Sequence, residues 1–173
     1  MRQETIDNGR MEIPEPIRRT IVILLRELID GPPGEAAYML NQGDRGLLAS
    51  LDTLSAEAAS AQPTGRASVA AHVDHVTYGL HLLNRWVGGD SNPWATANWS
   101  ESWKRAVVTD EEWAKLRANL RSEAQAWMDG AGRERSVNEI EVAGMIGSVA
   151  HLAYHLGAIR QLAPATAGPP ERG

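Results

Sequence analysis

The stretch SVAAHVDHVTYGLHLLNRWV, residues 68–87, decides the fold. Val69, Val73, Val76, Leu80, Leu83 and Val87 recur by fours and threes, which gathers them on one face of an α-helix. Turn-forming AQPTG at 61–65 precedes this helix, and Gly88-Gly89 ends it. The same period runs through the flanking chain. Residues 14–30, PEPIRRTIVILLRELID, read as a short helix with Ile21, Leu24, Leu25 and Leu28 in phase, stopped by GPPG at 31–34. Residues 35–60 read as a second helix, which Gly43 and Gly46 bend or start late. Thr109 or Asp110 caps a further helix, with Glu111 and Glu112 in its first turn; it carries Trp113, Leu116, Leu120 and Trp127 and ends near Gly130. A last helix runs from about Asn138 to Leu162, before Pro164.

No strand pattern competes. The expectation is an all-α four-helix bundle with an additional short N-terminal helix. Residues 14–163 form a single domain, between a flexible arm at 1–13 and a flexible tail at 164–173. The connection at 89–108 is long for a loop without a task, and it crowds Trp94, Trp99 and Trp103 together. A lid over a site and a packed loop or dimer contact are both open to it.

Composition narrows the function. With 173 residues and 43% hydrophobic side chains the chain can bury a core. It has no cysteine, which excludes disulfides, thiolate metal sites and a cysteine nucleophile. A net charge of −5 without a basic stripe argues against nucleic acid as a partner. No run is expected to reach the roughly 20 apolar residues that span a bilayer, and residues 1–16 are polar and without the apolar stretch expected of a signal peptide. The expected location is cytoplasmic, with no membrane partner.

All five histidines fall in two of the helices. His151 and His155, in IGSVAHLAYHLGAIRQL at 146–162, lie roughly 40° apart on one face. Gly144, Gly147, Ser148, Ala158 and Leu162 share that face, and these mostly small side chains leave room for a cavity. His72 and His75 fall within the apolar arc of residues 68–87, whereas His81 falls on the polar side and is expected in solvent. A buried neutral imidazole needs a partner for each ring nitrogen, and a shared metal satisfies one on each ring. Two histidines from one helix and a third from its neighbour fill three positions of a divalent-metal shell and leave the fourth open. Other signatures are missing: there is no H-E-x-x-H, no Glu-x-x-His, no G-x-S-x-G and no phosphate or dinucleotide loop.

Over residues 35–163 the chain resembles the DinB-like (DinB/YfiT-like) superfamily of bacterial metal-binding four-helix bundles. The resemblance is carried most by HLAYHLGAIRQ, which is similar to the family's last-helix H-x3-H, and by Ser68 seven residues ahead of His75. It implies His75, His151 and His155 as metal ligands. His72 stands where the family has an aliphatic residue; a fourth ligand, a group behind the ligands, and the true ligand of a rotated helix all remain open for it. The resemblance further implies zinc or nickel, a homodimer, and a small-molecule reaction such as thiol S-transfer with a low-molecular-weight thiol, or hydrolysis. His72 is the acid–base candidate if it is not a ligand, and Tyr78 and Tyr154 are candidate donors to a substrate. Asp74 points away from the histidines. A site closed by all four histidines would instead indicate a non-catalytic metal-binding or interaction bundle.

Overall fold

The computed structural model describes residues 9–34, 36–63 and 67–170. Its α-helices are α1 (Glu15–Asp30), α2 (Gly46–Leu51), α3 (Ala56–Ser60), α4 (Val69–Val87), α5 (Asp110–Gly132) and α6 (Glu139–Leu162). The long helices begin where local chemistry supplies their free N–H groups with acceptors. Ser68 accepts from the Ala71 N–H at α4. Thr109 and Glu112 bond each other's backbone at α5, and Asn138 and Glu141 do the same at α6. At α1, Pro16 sits in the first turn, where its missing N–H costs nothing.

The four long helices form a ring in which α1 and α4 each pack on both α5 and α6. Leu25 and Leu28 of α1, Val73 and Leu80 of α4, Leu120 and Trp127 of α5, and Leu152 and Leu156 of α6 meet in one core. The buried indoles keep their polar atoms bonded. Trp127 donates to the Ser148 hydroxyl at 2.9 Å, and Trp113 donates to the Leu54 carbonyl at 2.9 Å.

Residues 35–60 depart from the single helix that their pattern predicts. Residue 35 lies outside the described residues; residues 36–45 form a loop, followed by the short α2 and α3. As a result α1, expected as an accessory, supplies the fourth long helix. The cause is long-range. Glu27, fully buried on α1, accepts from the backbone N–H groups of Tyr38 (2.9 Å), Met39 (2.7 Å) and Leu40 (2.7 Å), so these N–H groups are unavailable to a helix. Two glycines let the chain turn back: Gly31 (φ 94°) and Gly46 (φ 69°) pass so closely that a Cβ on Gly31 would lie 2.2 Å from the Asp44 carbonyl.

The ends of the chain also make contacts with the bundle. Of the arm at 1–13, residues 1–8 lie outside the described residues. Met11–Glu12 (β1) pairs antiparallel with Ser136–Val137 (β2), and Ile13 is buried. Two-residue strands have no period to read in a sequence. In the tail at 164–173, residues 171–173 are outside the described ones. Residues 164–166 form a 3-10 turn, Thr166 is buried, and the Pro169 carbonyl accepts from the Asn41 side chain at 2.8 Å. Finally, α6 is by length and composition apolar enough to cross a membrane, contrary to the expectation for this chain. Its many Gly and Ala residues conceal this when only large side chains are counted, and helices in a protein core pass the same measure.

Replacing the Glu27 carboxylate with an amide puts an –NH2 against a backbone N–H in a fully buried site. Glu27→Gln is expected to cost about 2 kcal/mol or more of unfolding free energy in urea. A change within about 0.5 kcal/mol, the range of ordinary surface substitutions, would mean that the loop is held by other contacts.

Candidate metal centre

α4 carries His72 and His75, and α6 carries His151 and His155 on its facing side. The connection between α4 and α5 closes over them through 3-10 turns at Pro93–Thr96 and Glu101–Trp103. α4 and its N-cap residue anchor that connection at four points. The Ser68 hydroxyl donates to the Ala106 carbonyl (2.6 Å), Asp74 pairs with Arg105 (3.3 Å), His75 bonds Ser102 (2.9 Å), and the Tyr78 hydroxyl accepts from the Asn98 N–H (2.9 Å).

His75, His151 and His155 bring one ring nitrogen each to a common point, all within 4.8 Å of one another. The His151 Nε2 lies 2.9 Å from His155 Nε2 and 3.3 Å from His75 Nε2. The nitrogens of a tetrahedral zinc site with bonds of about 2.0–2.1 Å stand about 3.3 Å apart; the His75–His151 pair is at that spacing, and the His151–His155 pair reaches it by opening slightly. Three imidazoles without a carboxylate or thiolate form a neutral donor set, which fits zinc, nickel or similar ions.

The tautomers follow from the surrounding bonds. Ser102 donates its one hydroxyl proton to the Trp99 carbonyl at 2.8 Å. Its oxygen therefore accepts from the His75 Nδ1–H, which leaves His75 Nε2 as a lone pair aimed at the common point. On the other side, His72 Nδ1 and His155 Nδ1 lie 2.8 Å apart. A lone pair on His155 Nε2 requires its proton on Nδ1, donated to His72. His72 thus stands behind His155, on the far side of that ring from the three converging nitrogens, and is not a member of the cluster. This orients a ligand in the way that outer partners of metal-binding histidines do.

Aromatic rings wall off the cluster. Trp103 stacks on His75 at 4.2 Å and meets His72 edge-on at 5.1 Å. Trp99 tilts over His75 at 5.5 Å. Trp94 does not reach the histidines; it packs against Trp86 at 4.6 Å. Burial pushes His75 down to about 4 and His155 to about 3, with the charges of neighbouring histidines adding to the effect. Burial lowers His72 and His151 too. A proton is thus a poor occupant for this convergence of lone pairs at neutral pH.

Other candidates lie elsewhere. His81 is half-exposed and bonds Glu123 at 3.0 Å on the outer side of α4. Tyr154 is 69% exposed, its ring edge-on to His155 at 5.1 Å. The hydroxyl of Tyr78 is engaged with the Asn98 backbone, and Asp74 with Arg105. Ser102 was not legible as a site residue, because a lone serine in an irregular segment has no spacing to mark it. Comparison with protein-family models, with curated proteins and with solved structures finds no match.

The lowered histidines set a pH dependence. An unfolded histidine titrates near 6.5, the folded ones well below it, so between these values the unfolded chain binds more protons. Their contribution is complete above about pH 6.5 and is lost as pH falls through about 4 toward about 3. The urea midpoint of metal-free protein is expected to drop from pH 7 to pH 5. A flat midpoint over that range would contradict the burial of these rings.

Proposed function

We propose that this protein is a DinB-like, divalent-metal-dependent enzyme that acts on a small molecule, as a thiol S-transferase or a hydrolase. The observation that carries the reading is the convergence of His75, His151 and His155 Nε2 with their outer nitrogens turned away. A bound divalent ion supplies a Lewis acid that lowers the pKa of a water or thiol ligand toward neutrality.

The chain's own residues hold and shield that position. Ser102 fixes the His75 ring and its tautomer, and His72 does the same for His155. Trp99 and Trp103 exclude water from the His75 side and lower the local dielectric, which strengthens charge interactions there. Three protein ligands leave a fourth position for a substrate, as in catalytic rather than structural zinc sites. With no cysteine in the chain, a transferase must take its thiol from solution.

Elemental analysis tests the reading first. Wild-type protein is expected to hold about one equivalent of zinc or nickel, and His151→Ala none. His72→Ala should keep the ion with about 10–100-fold weaker affinity, the usual effect of removing an outer partner. If His72→Ala abolishes binding as fully as His151→Ala, His72 is a ligand and the site is closed. A wild type that refuses zinc and nickel sinks the enzyme reading. Loaded protein is then assayed for transfer of a small thiol to an aryl halide and for hydrolysis of an aryl ester.

A further inference from the structure

A cavity of about 270 Å³ opens between α4 and α6 directly beside His151. Its walls are Val76, Leu80, Leu83 and Leu152, with the indoles of Trp94 and Trp99 at its rim. No Asp, Glu, Lys or Arg lines it. Of the other hollows, one between α1 and α5 holds Asp30, Arg121 and Asp129 and another holds Asp90, Arg135 and Glu141, whereas one beside His72, lined by Trp103, Tyr154, Gln161 and Leu162, is likewise without charged side chains.

Glycines make the space. Gly79 and Gly147 lie mid-helix without positive φ, so no backbone requirement puts glycine there. Glycine inside a helix costs about 1 kcal/mol relative to alanine. Packing explains Gly144, where a Cβ would sit 2.8 Å from the Trp86 ring. It does not explain the other two. A Cβ on Gly147 would meet nothing within 4 Å. A Cβ on Gly79 would make ordinary contacts of 3.7 Å to His151 and 3.9 Å to Trp99, and would narrow the slot between those two rings. What glycine preserves at 79 and 147 is therefore open volume next to a histidine of the cluster.

We propose that this cavity binds the uncharged, apolar portion of a small ligand, of the size of one aromatic ring with a short arm. A cavity of about 150 Å³ takes benzene, so the volume here suits about ten heavy atoms. Apolar walls favour such a group in proportion to the area it buries, and they penalise a charged one that would find no partner. The proposal deepens the metalloenzyme reading and rests on it for the other end of the ligand: a group seated here places its polar end at His151 and the open metal position. The substrate class is thus an aryl or branched-alkyl compound with one reactive polar group, in preference to a multiply charged one.

Binding of fluorobenzene, followed by 19F NMR, tests the cavity without any metal. Saturable binding is expected for the wild type, with affinity reduced at least about tenfold in Gly147→Leu, where the new side chain takes the space of the ring. Gly79→Ala should weaken binding in the same direction, and serves if Gly147→Leu does not fold. A zinc titration of each variant reports whether the histidine cluster is intact. No saturable binding to the wild type, or equal binding to both variants and wild type, overturns the proposal. Failure of zinc to bind any of the three proteins, with fluorobenzene still discriminating among them, removes the metalloenzyme reading and leaves the cavity standing. On zinc-loaded wild type, 4-phenylimidazole should bind about tenfold or more tightly than imidazole, and Gly147→Leu should erase that advantage. Equal affinities of the two imidazoles for the wild type would sever the cavity from the cluster and overturn the substrate class.

Discussion

The burial of α4 sets the terms for the rest of the structure. It is packed by α5, α6, α3 and both 3-10 turns of the long connection, which leaves His72 and His75 less than a tenth exposed. An imidazole in such a place has two nitrogens that must each find a partner, because water no longer supplies one. Three of these four nitrogens have a partner within the chain. Ser102 takes one nitrogen of His75 and His155 one of His72, while the second nitrogen of His75 turns toward His151 and His155. The position of the connection and the facing of α6 meet that demand.

Polar groups brought together from distant parts of the chain hold the frame in which this works. Glu27 gathers the loop after α1 by its backbone. Asp44, at the end of that loop, receives both a Gly46 N–H (2.8 Å) and the Arg160 guanidinium (2.7 Å), which ties the loop to the last turns of α6. The Asp44 carboxylate is almost fully buried, so removing Arg160 leaves a charge without compensation. The C-terminal half of α6, which carries His155, is therefore fixed against a segment more than a hundred residues away.

Local chemistry made much of the fold legible. The starts of α4, α5 and α6 follow from Ser68, Thr109 and Asn138, whose side chains act within three residues of themselves. The pairing of His151 with His155 follows from helical spacing alone, and so does the separation of His81 from the cluster. Residues 35–60 misled because their apolar pattern is helical, while the competing acceptor, Glu27, sits on another helix. β1 and β2 had no pattern to show. The apolar length of α6 was hidden by its small residues.

At the site the division is sharper. The sequence by itself determined which helices carry histidines and which histidines face inward, because periodicity and polarity along one helix are local properties. It left His72 and His75 undecided, since both fall within the apolar arc of α4. Only tertiary structure separated them. The crossing of α4 over α6 sets His75 Nε2 beside His151 and puts His72 behind His155. It also brings Ser102, Trp99 and Trp103 onto His75 from an irregular segment with no spacing to read. Hydrogen-bond direction and ring contact depend on distances between separate elements, and no single element of the chain contains them.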